Sequence, residues 1–355
     1  MLRPLAIILA VLCAAACTRI GPGTVRHDRF DYNAALADSW QEQILLNVVK
    51  LRYLDTPVFL DVASIVSGYT MESTLTAGGS VFSRDGVVPG VPDSSVTLGA
   101  QGKYTDRPTI TYAPLTGPDF VRSLMTPLPP PAVLFLLQSG YAADFVFGIA
   151  VDSVNGLQNR RGAGARMRPA DPQFYTALDL LREIQLSGAV EVNIKPMEDK
   201  QEAVFLVFQK REELGENSRA LRELLGLDAE ATEFRVFYGG AARGGRQIAM
   251  LTRSMMHIMI ELASYVEVPE RDLAEQRATP AIAEGVDEKH RLIRIHSSAE
   301  EPADAFVAVP YHGHWFWIDD RDLVSKRTFT FLMLLFTLAH QGPTQNLPLV
   351  TIPAG

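Results

Sequence analysis

Leu36, Trp40, Ile44, Val48 and Leu51 recur every three or four residues, which lays one apolar stripe along a helix over residues 32–55. Asp31 is its expected cap and Pro57 its stop. From residue 66 the period changes to two. Tyr69, Met71, Leu75, Ala77 and Val81 alternate with Thr70, Glu72, Thr74, Thr76 and Ser80. After a Gly- and Pro-rich loop (SRDGVVPGVPDSS), Val96, Leu98, Ala100 and Tyr104 alternate with Thr97, Gln101, Lys103 and Thr105. The pattern predicts one long β-hairpin over residues 66–105. One reading puts one face of the hairpin on a core and the other in water. The other makes it a membrane-spanning hairpin, because each run exceeds the roughly 9–11 tilted residues that crossing needs. Tyr69 and Tyr104 would then supply an aromatic belt at one end. An open hairpin leaves backbone groups unpaired in lipid, so the spanning reading requires several copies closed into a barrel.

RPTITYAPL follows as a short strand and TPLPPPAVLFLLQSG as a proline-led helix stopped by Ser139 and Gly140. FVFGIAVDSV reads as a buried strand, and DPQFYTALDLLREIQLSGAVEVNIKP repeats the helix–strand order. AVFLVFQ is expected to pair with VEVNI across residues 196–202. NRRGAGARMRP places Arg160, Arg161, Arg166 and Arg168 on a glycine-rich loop, expected to be solvated, with an anionic contact as the alternative. NSRALRELLG predicts a helix and EFRVFYGG a strand. The loop YGGAARGGRQ then leads to a helix over IAMLTRSMMHIMIELASYV, with Ile248, Leu251, Met255, Ile258 and Leu262 on its core face. That loop lacks the lysine and adjacent hydroxyl of a phosphate-binding loop. AFVAVPY and HWFWID form a hairpin turning at His312 and Gly313. Asp319, Asp320 or Asp322 caps a last buried helix over LVSKRTFTFLMLLFTLA.

The expected fold is α+β, with antiparallel sheets, packed helices and the long hairpin. The expected organisation is a signal segment (1–16), a lipidated tether (17–30), an N-terminal α+β domain carrying the hairpin (31–212) and a C-terminal α+β domain (213–355).

The N-terminus changes the picture most. Arg3 precedes an apolar run, Leu5 to Leu12, too short to span a bilayer permanently. The following Ala14-Ala15-Ala16-Cys17 resembles the lipobox of bacterial lipoproteins, although Ala14 stands where leucine is usual and Ala14 and Ala16 also fit an A-x-A cleavage site. The resemblance implies that Cys17 is diacylated and becomes the mature N-terminus, and Thr18 after it implies the outer membrane. Two acyl chains make a stable anchor. The chain has two cysteines, Cys13 in the signal and Cys17, so a mature lipoprotein would carry no disulfide and no thiolate nucleophile. A net charge of −8 argues against nucleic acid as a partner. The stretches NVVKLRYLDTPVFLDV and WFWIDDRDLVSKRTF resemble uncharacterised lipoproteins of Gram-negative bacteria, which supports class and location.

Signatures of hydrolases, zinc proteases and dinucleotide enzymes are missing from the sequence. The expectation is therefore a lipid-anchored, periplasm-facing outer-membrane lipoprotein without a cofactor. It would be a non-catalytic binding or assembly component of an envelope complex, partnered by an envelope protein or by its own copies. The alternatives are an oligomeric export pore built from the hairpin, with Tyr69, Met71, Leu75, Val81, Val96, Leu98 and Tyr104 toward lipid, and a hydrolase or metal-dependent enzyme using His312, His314 and Asp319.

Overall fold

The computed structural model describes residues 22–66, 69–81, 94–106, 108–162, 167–196, 202–209, 215–278 and 288–339. The signal segment, Cys17, Arg166 and the loop joining the two hairpin runs lie outside the described residues. The fold is mixed α+β. The chain divides into two units, one of Met1–Leu36 with Leu60–Leu115 and one of Ala37–Phe59 with Thr116–Gly355.

Helix α1 (Pro22–Arg52), of which residues 22–36 belong to the smaller unit, begins nine residues before the expected cap. Proline is well placed at a helix start. Residues 22–30 are thus helix rather than extended tether, and Asp31 lies inside it. Strand β1 (Leu60–Val66) pairs antiparallel with β4 (Thr109–Pro114), and between them β2 (Tyr69–Val81) pairs with β3 (Ser94–Asp106). The two pairs are separate two-stranded sheets, one nested within the other along the chain. Residues 60–66 escaped the sequence reading because a register shift between Val62 and Ser64 breaks the period of two.

The larger unit centres on a six-stranded sheet ordered β6-β5-β10-β9-β8-β7. Its strands are β5 (Val151–Val154), β6 (Leu157–Gln158), β7 (Val190–Pro196), β8 (Glu202–Phe208), β9 (Glu233–Tyr238) and β10 (Gln247–Thr252). The β7–β8 hairpin pairs Val190 with Phe208 through Pro196 with Glu202, as expected. The sheet takes strands from both sides of residue 212. Helices α2 (Pro118–Met125), α3 (Pro130–Gln138), α4 (Ala143–Ala150), α5 (Pro172–Leu186) and α6 (Gly215–Leu224) complete the first part of this unit.

Two assignments change. Residues 143–150 form helix α4, and only the last four residues of FVFGIAVDSV are strand. A continuous apolar run does not distinguish a buried helix from a buried strand. Conversely, residues 247–252 are strand β10, and the helix, α7 (Met255–Ala263), starts only after Ser254, whose hydroxyl accepts from His257 N at 3.2 Å. Ile248 therefore fills the core from a strand, while Met255, Ile258 and Leu262 fill it from the helix. β9 and β10 are parallel, so the loop over residues 239–246 carries the chain back along the sheet. Gly245 passes so close to Asp228 that a Cβ there would lie 3.0 Å from the Asp228 backbone nitrogen. Gly245 serves this close approach.

After the short helix α8 (Glu270–Ala274), strands β11 (His296–Ser298), β12 (Ala305–Tyr311) and β13 (His314–Asp319) form a three-stranded sheet ordered β11-β13-β12. His312 (φ 47°) and Gly313 (φ 80°) turn the β12–β13 hairpin with positive φ at both positions, the twist that suits a two-residue turn. Helix α9 (Leu323–Ala339) closes the unit, burying Phe329, Leu332, Leu335 and Phe336. The Phe336 ring meets Trp40 at 5.7 Å and Phe59 at 5.0 Å, which ties the second half of α1 to this core. No helix among the described residues is long and apolar enough to cross a membrane.

Asp322 caps α9, accepting from Ser325 N at 3.1 Å and Ser325 Oγ at 2.7 Å, with Arg291 Nη1 at 3.1 Å. Burial alone would raise its pKa, but these bonds outweigh burial and hold it down at about 2. A carboxylate whose pKa is lower folded than unfolded stabilises the fold above its unfolded value and loses that contribution as pH falls through the folded one. About 2 kcal/mol should vanish between roughly pH 4 and pH 2. Stability measured against pH checks this, since Asp322→Asn should flatten that window; an unchanged slope would deny the cap its role.

Candidate functional site

The first site is the ribbon formed by β2 and β3. Its ladder runs through thirteen pairs from Tyr69↔Asp106 to Val81↔Ser94 without a register shift. Directly opposed residues share a face, and successive residues alternate faces. Positions 69, 71, 75, 77 and 81 therefore lie on the same face as Tyr104, Ala100, Leu98 and Val96. The other face carries Thr70, Thr74, Thr76, Thr97, Gln101 and Thr105, and on it Glu72 is paired with Lys103. All seven hairpin positions named from the sequence, Tyr69, Met71, Leu75, Val81, Val96, Leu98 and Tyr104, fall on one side. At about 3.3 Å per residue the ladder is about 43 Å long. Among the described residues, neither β2 nor β3 has a second partner strand, so both outer edges present backbone donors and acceptors.

The second candidate, the histidine group, does not converge. His314 lies opposite Tyr311, and Asp319 lies opposite Ala305 at the far end of β13. That is about 17 Å along a strand. The odd spacing also puts the two on opposite faces, His314 sharing its face with the buried Phe316 and Ile318. His312 turns instead toward Asp55, its Nε2 3.6 Å from the carboxylate, and stacks on Tyr53 at 5.2 Å. Tyr311 also donates its hydroxyl proton to Asp55, and Tyr53 donates to Asp272 Oδ2 at 2.6 Å. Burial and then these carboxylates push both phenol pKa values up. The cluster fastens the hairpin tip to the end of α1. Among the described residues no three His, Cys, Asp or Glu side chains gather to hold a metal ion. A site made of His312, His314 and Asp319 is therefore withdrawn.

The third group is one that the sequence did not reveal. Arg160, expected on a solvated loop, is buried and ion-paired with Glu261 of α7. The same guanidinium reaches Ser264 Oγ at 3.1 Å and lies 4.6 Å over the Tyr265 ring. Glu261 also accepts from Gly162 N at 2.7 Å. A Cβ on Gly162 would stand 2.2 Å from Ser264 Oγ and 2.3 Å from Arg160 Nη1, so only glycine fits there. Beside this pair, Arg161 grips Asp152 with Nε at 2.9 Å and Nη2 at 2.5 Å. Burial opposes the ionised Asp152, but the Arg161 fork prevails and its pKa is lowered. Arg253, only 1% exposed, donates to the carbonyls of Gly148 at 3.3 Å and Ile149 at 3.1 Å, and to that of Arg160. It thus caps the C-terminus of α4, where a cation is favoured. His257 and Glu261, one turn apart, do not work as a pair. Burial and then the Arg253 charge lower His257 to about 4, which leaves a neutral ring. The carboxylates are occupied by arginine forks and backbone donors, so the cluster clamps α4, β5 and α7 together and offers no nucleophile.

An apolar cavity of about 30 Å³ lies between the large sheet and helices α3, α5 and α6, lined by residues such as Leu134, Phe174, Leu206 and Met250. Its walls are wholly apolar. No family model, no curated protein and no solved structure matches the chain.

Proposed function

We propose that this chain is a lipid-anchored, periplasm-facing outer-membrane lipoprotein that acts as a non-catalytic assembly component of an envelope complex, with the β2–β3 ribbon as its assembly element. The ribbon supports this reading. A two-stranded ribbon is marginal in water by itself, and its two open edges invite strands from another molecule. The buried arginine–carboxylate cluster, whose groups bind one another, gives no support to a catalytic reading.

A second reading is the oligomeric pore. It is favoured by one observation, the gathering of Tyr69, Met71, Leu75, Ala77, Val81, Val96, Leu98, Ala100 and Tyr104 on one face of an uninterrupted thirteen-pair ladder, a face that also carries Ser73 and, at its ends, Ser94 and Asp106. Tilted by about 45°, such strands match a bilayer core of about 30 Å.

Replacing Cys17 by alanine should move the protein from the membrane to the soluble fraction; retention in the membrane would remove the lipid anchor from the reading. Particle size of the detergent-extracted protein should fall from a ring or large oligomer to a monomer when residues 66–105 are deleted. A monomer in both cases would rule out self-assembly through the ribbon and leave a tethered module that binds other partners.

A further inference from the structure

The ribbon's symmetry restricts how copies join, and its one cross-strand charge pair predicts what the assembly conducts; both steps rest on the pore reading. Two copies could meet β2 to β2 in either of two ways. Antiparallel pairing about an axis normal to the sheet turns one copy upside down, which is incompatible with anchors held in a single leaflet. Parallel pairing about an axis along the strands keeps the anchors together but reverses the faces, so that the apolar positions of one copy stand beside the threonine-rich positions of the other. Rotation about a single axis keeps both the anchored end and the outward face in every copy. It places the free edge of β3 on the free edge of β2 in the next copy. Because β2 and β3 are antiparallel, the whole ring then alternates up and down, with two strands per copy.

In that arrangement the face with Leu75 and Leu98, on which the charged Asp106 stands only at the terminal pair, is the one turned to lipid, and the hydroxyl-rich face lines the lumen. Glu72 and Lys103 are directly opposed on this lumen face. Rotation repeats them as an alternating belt, with one negative and one positive position per copy. The remaining lumen positions of the ladder, such as Thr74, Thr76 and Gln101, are uncharged.

We propose that the ribbons close by β3-to-β2 joining into an up-and-down barrel whose lumen carries a charge-balanced Glu72–Lys103 belt, giving a pore that passes small cations and anions alike and sorts solutes by width. The test is the reversal potential of the full-length lipidated protein in planar bilayers under a potassium chloride gradient. The wild-type protein should show nearly equal potassium and chloride permeabilities. Glu72→Lys should shift the permeability ratio several-fold toward chloride, and Lys103→Glu several-fold toward potassium. Pores that form in both variants with an unshifted ratio would overturn the lumen assignment while leaving a pore in place. A strongly selective wild-type pore would overturn the balanced belt. No conductance from any of the three, together with a monomeric particle, would overturn the pore reading beneath it.

Discussion

Replacing Glu261 by alanine is expected to cost the larger unit about 3–5 kcal/mol. The carboxylate is 2% exposed and answers two buried donors, the Arg160 guanidinium and Gly162 N. Its loss takes the paired carboxylate away from a buried guanidinium, which keeps Ser264 Oγ at 3.1 Å and the Tyr265 ring at 4.6 Å. Breaking one side of a buried pair is much more damaging than replacing both sides, because the surviving charge keeps its desolvation cost. The double variant Arg160→Met with Glu261→Leu should therefore recover most of the loss. All three tryptophans, Trp40, Trp315 and Trp317, belong to the larger unit, so denaturation followed by tryptophan fluorescence reports on it alone. A Glu261→Ala midpoint close to wild type, or a double variant no better than the single one, would show that the clamp does not hold this unit together.

The part of this molecule that was legible in the sequence is the part whose signal is local. The alternation in residues 69–81 and 94–106 carries the hairpin and its two faces, because strand periodicity is written in consecutive residues. The same holds for the β7–β8 hairpin, the His312–Gly313 turn and the capped last helix. Where the signal is continuous instead of periodic, the reading failed. Residues 145–151 carry no polar side chain, so the change from α4 to β5 at Val151 comes before the first polar residue, Asp152. The join between β10 and α7 is hidden for a related reason: Ile248 and Leu251 continue the spacing of the helix that follows.

The polar clusters depend on distance in sequence, which local reading does not reach. Arg160 meets Glu261 across 101 residues, and Tyr311 meets Asp55 across 256. The arginine-rich loop contained a signal, since Gly162 sits between arginines. Only the packed structure shows that this glycine is needed for a close approach to Ser264. Charge in a glycine-rich stretch suggested solvent, and tertiary packing turned it into a buried clamp.

On the pore reading, arginine at both Leu75 and Leu98 should abolish assembly. Leu75 is the midpoint of the thirteen-pair ladder, opposite Ala100, and Leu98 is opposite Ala77 on the same face. An arginine facing lipid near the bilayer midplane costs about 2–4 kcal/mol. Each copy would carry two, and the penalty multiplies with the number of copies in the ring. The matched control is arginine at Thr74 and Gln101, which lie on the opposite face. There the added charge meets the lumen and should alter ion selectivity while leaving insertion intact. Both pairs belong to the smaller unit, so neither should move the tryptophan-reported midpoint of the larger one. Bilayer conductance and detergent particle size therefore read one face against the other at constant stability of the larger unit. If the Leu75 and Leu98 variant inserts and conducts like wild type, the apolar face is not the lipid face. The ribbon's open edges would then serve pairing with another envelope protein in water, where two added charges on one face leave the edge hydrogen bonds intact.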